Sequence, residues 1–276
     1  MNIAVLSGKG GTGKTTVSTN LALALKSNYI DCDVEEPNGF IFLKPEINKT
    51  EKVKVEYPFI DDKKCTSCGK CVSVCQFNAL AKVKDDIMLF EKLCHGCGAC
   101  EIVCEYDALT YRTREIGTIE DGKMGDLNCR RGILNISEPM AVPVIRELLK
   151  DLPQNINLID CPPGTSCNVV TSLKYANAAI LVTEPSEFGL HDLKMAVELV
   201  RMYDIPFGIV INKDDEKENI IKKYCKDEKI NLIGTIPYSR DTAVLYSNGK
   251  ILYDDSKHKN LFDELSNNAK EVLKWN

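Results

Sequence analysis

Short apolar runs recur along the chain, with longer stretches of helical spacing between them. Asn2–Leu6, Tyr29–Asp33, Ile156–Asp160, Ala178–Thr183, Phe207–Ile211 and Asn231–Ile236 have strand length and are nearly continuous in apolar side chains. Thr15–Lys26, Val142–Lys150, Leu190–Met202, Glu216–Lys226 and His258–Lys274 carry apolar residues at helical intervals. Strands that are apolar on both faces must be covered on both faces. The alternation therefore predicts an α/β fold with a doubly wound, mainly parallel sheet. "PPG" at 162–164 and "NG" at 248–249 supply turns between these elements.

One region breaks the rhythm. Residues 58–112 hold eight of the thirteen cysteines and contain a repeat displaced by 29 residues. Cys65, Cys68, Cys71 and Cys75 recur as Cys94, Cys97, Cys100 and Cys104, "FNAL" recurs as "YDAL", and Lys63 as Lys92. A repeat that keeps cysteines and flanking apolar residues in register is a duplicated folded unit. The reading is a small α+β domain, 58–112, inserted into a larger one formed by 1–57 plus 113–276.

Composition narrows the chemistry. A chain of 276 residues can bury one good-sized core with a satellite. Its net charge of −5 gives no general attraction to nucleic acid or anionic lipid. No apolar run approaches the roughly 20 residues that span a bilayer, and Met1–Leu6 runs straight into a glycine-rich loop rather than a cleavable leader. A cytoplasmic protein is expected, and there thirteen cysteines point to metal or redox chemistry rather than disulfides.

Gly8-Lys9-Gly10-Gly11-Thr12-Gly13-Lys14-Thr15-Thr16 follows the first predicted strand and opens the first predicted helix. It matches G-x-x-x-x-G-K-T, in which glycines let backbone N–H groups curl around phosphate, helped by the positive end of the helix. Lys14 is then expected on the β- and γ-phosphates, and Thr15 on magnesium. The bland alternative is a glycine-rich turn that binds nothing, but the strand–loop–helix context speaks against it.

"KGGTGKT" resembles the deviant phosphate loop of the MinD/ParA/nitrogenase-iron-protein class of ATPases. The resemblance implies that Lys9, too early to serve its own nucleotide, reaches across a dimer interface to the partner's. The partner would be a second copy or a related chain. "DCDVEEPN" (31–38) resembles the class's first switch, which puts Asp33 at the attacking water and Asn38 near the phosphates. "LIDCPPGT" (158–165) resembles its Walker B strand, which puts Asp160 toward magnesium through water and Gly164 at the γ-phosphate. "TEPSEFGLHDL" (183–193) resembles the next strand and the start of an interface helix. Asn212 and Pro237 occupy places that usually hold the base, although both also read as ordinary strand-end turns.

C-x2-C-x2-C-x3-C, repeated, is the spacing of bacterial two-cluster ferredoxins. That likeness implies that the fourth cysteine of each run crosses over. Cys65, Cys68, Cys71 and Cys104 would hold one four-iron, four-sulfur cluster, and Cys94, Cys97, Cys100 and Cys75 the other. Zinc, the main rival, pairs two C-x2-C knuckles and has no use for further cysteines at this spacing. Gln76 and Glu105 stand where proline usually follows the fourth cysteine. His95, beside Cys94, could couple a proton to cluster reduction; a plain surface histidine is the alternative.

Cys32, Cys161 and Cys225 read as buried thiols. Cys129 and Cys167 resemble the positions at which the nitrogenase iron protein holds one cluster between its subunits. A third, dimer-bridging cluster is therefore one expectation and a pair of buried thiols the other. As a whole the chain resembles MinD-superfamily ATPases with an inserted ferredoxin domain. The function expected is nucleotide-gated electron transfer to an unknown redox partner. Alternatives are a carrier for iron–sulfur or related cofactors and a MinD-like positioning ATPase. Carriers of this kind usually show a C-terminal C-x-x-C, whereas the only cysteine beyond 167 is Cys225. Membrane-binding members end in a basic amphipathic helix, whereas this tail has mixed charge and is expected to pack on the core. An amidating synthetase is remote, because no glutamine-hydrolysing domain fits after residue 250.

Overall fold

The structure, a computed structural model, describes residues 1–215 and 217–274. Its main sheet comprises β1 (Asn2–Leu6), β2 (Asn28–Asp31), β3 (Glu46–Ile60), β6 (Leu109–Met124), β7 (Leu127–Leu134), β8 (Asn157–Asp160), β9 (Ala178–Thr183), β10 (Phe207–Asp214) and β11 (Leu232–Pro237). They lie in the order β11-β10-β9-β1-β8-β2-β7-β6-β3. From β11 to β7 every neighbour is parallel, whereas β6 and β3 continue the sheet antiparallel. α1 (Lys14–Leu25), α2 (Gly39–Leu43) and α10 (Ser256–Val272) pack on one face. α5 (Val142–Leu149), α6 (Cys167–Leu173), α7 (Glu187–Arg201) and α8 (Ile220–Asp227) pack on the other, and α9 (Arg240–Ser247) follows β11. Phe262, Leu265, Ala269 and Leu273 are buried, so the tail packs on the core as expected. Glu216, where a helix was expected to begin, lies outside the described residues, as do Trp275 and Asn276. Among the described residues no helix is long and apolar enough to cross a membrane.

The six predicted strands are present within a few residues; β10 runs on to Asp214. Long β3 and β6 were not anticipated. Their sequences, such as "EINKTEKVKVEYPFI", mix apolar and polar residues, and β3 stays largely exposed. An antiparallel pair with a wet face needs no continuous apolar run.

These two strands form an arm. β7 ends at Leu134 opposite Gly117, but β6 and β3 continue as a two-stranded ribbon to Leu109 paired with Ile60. Residues 109–116 thus project about 27 Å at ~3.4 Å per residue. They leave from the carboxyl edge of the parallel strands, because β7 runs parallel to β2. Where the ribbon departs, pairing slips between Val53 and Lys54. Ile116 is the extra residue, and it is fully buried. Such a bulge bends a strand and sharpens its twist.

The cysteine-rich segment crowns the arm, with α3 (Lys70–Val74), α4 (Ala99–Ile102) and a hairpin of β4 (Leu80–Val83) and β5 (Asp86–Leu89). Its backbone obeys the sequence repeat. Ser67 and Gly96, Gly69 and Gly98, and Asn78 and Asp107 are matched pairs of positive φ. Gly69 and Gly98 precede α3 and α4 in equivalent left-handed conformations.

Candidate functional site

β1 feeds the glycine-rich loop, and α1 starts at Lys14. Gly13 has φ 89°, and a Cβ there would lie 2.0 Å from the Asn212 amide nitrogen. That amide donates to the Thr12 carbonyl at 2.8 Å, tying the loop to β10. The Thr12 hydroxyl is buried without a partner. An orphaned donor in a glycine-rich loop that opens a helix fits an anionic ligand.

Strand register assembles the charges. β2 and β8 pair with Asp31 opposite Asp160, at the carboxyl ends of both strands. The buried Lys14 ammonium lies 2.5 Å from Asp160 Oδ1. The Tyr29 hydroxyl is 2.9 Å from Asp160 Oδ2 and 3.3 Å from Asp31 Oδ2, and the Gly39 N–H donates to Asp31 at 2.9 Å. Burial, reinforced by Asp160, pushes Asp31 up to about 7. Burial also lifts Asp33 to about 6, against the pull of Lys14. Burial opposes the Lys14 charge, but Asp160, Asp31 and Asp33 outweigh it and hold its pKa above the ordinary value. Burial, then the two carboxylates, keeps Tyr29 neutral.

Three carboxylates facing one lysine leave negative charge that suits a divalent cation. Among the described residues no three acidic, histidine or cysteine side chains close on an ion by themselves. Magnesium keeps waters and takes phosphate oxygens, so it would need only one or two of these carboxylates.

A cavity of about 490 Å³ opens over the loop. Gly10, Gly11, Gly13, Lys14, Thr15, Thr16, Asp33, Asn38, Asn212 and Pro237 line it, all of them expected site residues. Asp160 lies beneath Lys14. Gly164, at φ 85°, donates its N–H to Ser7 at 2.9 Å. Lys9 is turned aside onto Glu184, 2.7 Å away. Sequence reasoning missed Tyr29, Asp31, Glu184 and Lys213. Asp31 and Glu184 stand inside the motifs already singled out, but their partners are set by strand register and loop packing.

At the arm's tip, Cys65, Cys68, Cys71 and Cys104 line one cavity with Ile60, Ile87 and Leu109. Cys75, Cys94, Cys97 and Cys100 line a second with Leu80, Phe77 and Tyr111. The Ala79 N–H donates to Cys75 Sγ at 3.3 Å and the Ala108 N–H to Cys104 Sγ at 3.4 Å, again 29 residues apart. The Tyr111 hydroxyl lies 3.6 Å from Cys100 Sγ. Exposed His95 stacks on Phe77 with ring centroids 3.9 Å apart. All-thiol donor sets in apolar walls, with backbone N–H groups aimed at sulfur, fit thiolate-held iron–sulfur groups.

The geometry corrects the idea of a third cluster. Cys129 is 2% exposed and packs on the α1 face, where burial pushes its thiol up to about 12. Cys167 is exposed at the start of α6, on the opposite face. The two share no surface, so one chain does not present them together. Nor are they two buried thiols. Cys32, Cys161 and Cys225 are buried, as read from the sequence.

Residues 3–252 match the family model described as the CobQ/CobB/MinD/ParA nucleotide binding domain. An uncharacterized protein of Methanocaldococcus jannaschii is 34% identical over 275 residues, 97% of each chain. An iron-sulfur cluster carrier protein of Pyrococcus horikoshii is 26% identical, over 99% of this chain and 86% of that one. Among solved structures, the septum site-determining protein MinD of Pyrococcus horikoshii complexed with Mg-ADP superposes with a TM-score of 0.58. It shares 20% identity over 98% of this chain and 96% of its own, a likeness of fold.

Proposed function

Because the chain belongs to the CobQ/CobB/MinD/ParA nucleotide-binding family, we propose that it is an ATPase whose nucleotide-driven pairing governs two four-iron, four-sulfur clusters. The proposed clusters sit in an inserted ferredoxin-like unit, 58–112, and pass electrons to a redox partner. The observation that carries this reading is spatial. The arm bearing two four-thiol cavities grows from the same sheet edge as the phosphate loop.

In this reading Lys14 leaves Asp160 for the β- and γ-phosphates, while loop amides hold the remaining phosphate oxygens. Thr15 and Asp160 would hold magnesium, which offsets phosphate charge when bound. Asp33 orients the attacking water, and Lys9 leaves Glu184 to meet the nucleotide of a paired molecule. Catalysis is then positioning and electrostatics. Asn212 and Pro237, which both line the cavity, would meet the nucleoside. Each cluster takes three thiolates from one run and the fourth from the other. A cytosolic setting, which keeps the thiols reduced, suits this chemistry.

Anaerobic reduction followed by EPR, with and without ATP, tests the proposal. A nucleotide-dependent change in spectrum or reduction rate is expected. An identical spectrum and rate would reduce the protein to an electron carrier beside an unrelated ATPase.

A cluster carrier is the second reading. It is favoured by similarity to proteins named iron-sulfur cluster carrier and cytosolic Fe-S cluster assembly factor Nubp2 homolog, the latter from Aedes aegypti at 25% identity. Transfer of clusters to an apo acceptor on adding ATP would establish it in place of the first.

A further inference from the structure

A chain of hydrogen bonds ends at Thr242 in the wall of the nucleotide cavity. Asp255 caps α10, accepting the His258 backbone N–H at 3.2 Å. The same carboxylate oxygen lies 2.7 Å from His258 Nδ1. His258 Nε2 lies 2.9 Å from the Thr242 hydroxyl. Thr242 lines the cavity, as do Pro237 and Tyr246.

Counting protons on the neutral ring assigns the donors in this chain. Hydrogen bonds from His258 hold the Asp255 carboxyl below its usual range, so it is ionised and only accepts. Nδ1 must therefore carry a hydrogen. With the imidazole neutral, Nε2 is then an acceptor, and the Thr242 hydroxyl donates to it. A hydroxyl has one hydrogen, so toward the cavity Thr242 has only lone pairs.

We propose that Thr242 is an obligate hydrogen-bond acceptor for the bound nucleoside, with Asp255 and His258 as the residues that fix its polarity. The inference rests on the ATP reading above. With the phosphates at Lys14, the base and ribose extend toward Pro237 and Tyr246. An N–H or O–H donor there is accepted: the 6-amino group of adenine, or a ribose hydroxyl. A 6-keto base presents an acceptor in the amino group's place, leaving two acceptors face to face. Sites built around one hydrogen bond reject such analogues because a polar group is left unpaired.

The test measures equilibrium affinities of the full-length protein for ATP, ITP, 2′-deoxy-ATP and 3′-deoxy-ATP, in the parent and in Thr242→Val, Thr242→Ser and His258→Phe. The parent should prefer ATP to ITP (the 6-amino arm) or to one deoxy-ATP (the ribose arm) by roughly five- to tenfold. Thr242→Val should erase that preference while its affinity for the disfavoured analogue stays the same. Thr242→Ser should retain it, and His258→Phe, which frees the hydroxyl to donate, should shrink it. Two results would overturn the proposal: a parent with no preference, or Thr242→Val weakening all four nucleotides alike. A parent that binds none of them, folded by circular dichroism, would sink the ATP reading itself.

Discussion

The Lys9 ammonium lies 2.7 Å from one oxygen of the Glu184 carboxylate, and Lys213 holds the other oxygen at 3.2 Å. Lys213 also donates to the Gly11 carbonyl at 2.9 Å, so Glu184 and the phosphate loop form one frame. Within the proposal, Lys9 has to exchange Glu184 for a partner's nucleotide. Both side chains are partly exposed, and such pairs contribute about 0–1 kcal/mol. Glu184→Gln should therefore tighten ATP-dependent association about two- to fivefold, read by light scattering across a concentration series. Lys9→Ala should abolish that association and its ATP turnover. A Lys9→Ala protein that pairs and hydrolyses like the parent would remove the basis for nucleotide-driven pairing.

Asp31 gives the nucleotide-free protein a pH signature. Its folded pKa, about 7, stands above the roughly 3.9 of an unfolded aspartate. Between those values the folded chain binds more protons than the unfolded one, so stability falls as pH rises and levels off above about 7. Asp31→Asn should flatten this slope. It should raise the melting temperature at pH 8 and leave it little changed at pH 4. Unaltered pH dependence in Asp31→Asn would show that Asp31 is not the group responsible.

Binding of the magnesium nucleotide should also expel protons near neutral pH, as cations do from sites with protonated ligands. Titration calorimetry in buffers of different ionisation enthalpy reads the number released. A release of up to about one proton per site is expected, falling toward zero above pH 8. Release that stays constant across that range would count against protonated Asp31 and Asp33.

The crossing of the fourth cysteines can be read in iron. Cys104→Ser should damage the same cluster as Cys65→Ser, and Cys75→Ser the same one as Cys94→Ser. Each should lower iron from about eight to about four per chain. If Cys75→Ser instead silenced the EPR signal lost in Cys65→Ser, the assignment would be reversed.

Tyr111 distinguishes the two cavities. Its hydroxyl approaches Cys100 Sγ at 3.6 Å, whereas the repeat-equivalent residue 29 positions earlier is Lys82. Hydrogen bonds to cluster sulfur tune potential, and a donated O–H favours the more negative, reduced state. Tyr111→Phe should lower the potential of one cluster and leave the other in place, measured by EPR-monitored redox titration. Equal shifts in both would mean that the hydroxyl acts through the fold.

What was legible in the sequence was local. The glycine loop, the apolar strands and the duplicated cysteines each state their structure within a few consecutive residues. Partners set by register were not. Asp31 meets Asp160 because β2 and β8 align, and no spacing along the chain expresses that. Lys9 was read for an absent partner and rests on Glu184 in its absence. β3 and β6 escaped because their mixed composition looks like connecting loop until the two are paired. Thr242 and His258 carry no motif; only folding brings α9 against the start of α10.

The slipped pairing at Val53 and Lys54 gives the chain a mechanical character. A two-stranded ribbon that leaves the sheet at such an irregularity has the geometry of a lever, with its short end set in the main sheet. A tilt of ~10° at the fulcrum would sweep the tip of a beam about 27 Å long through ~5 Å. A modest strain at the base would thereby be geared into a large change in how closely the cysteine cavities approach whatever lies opposite them.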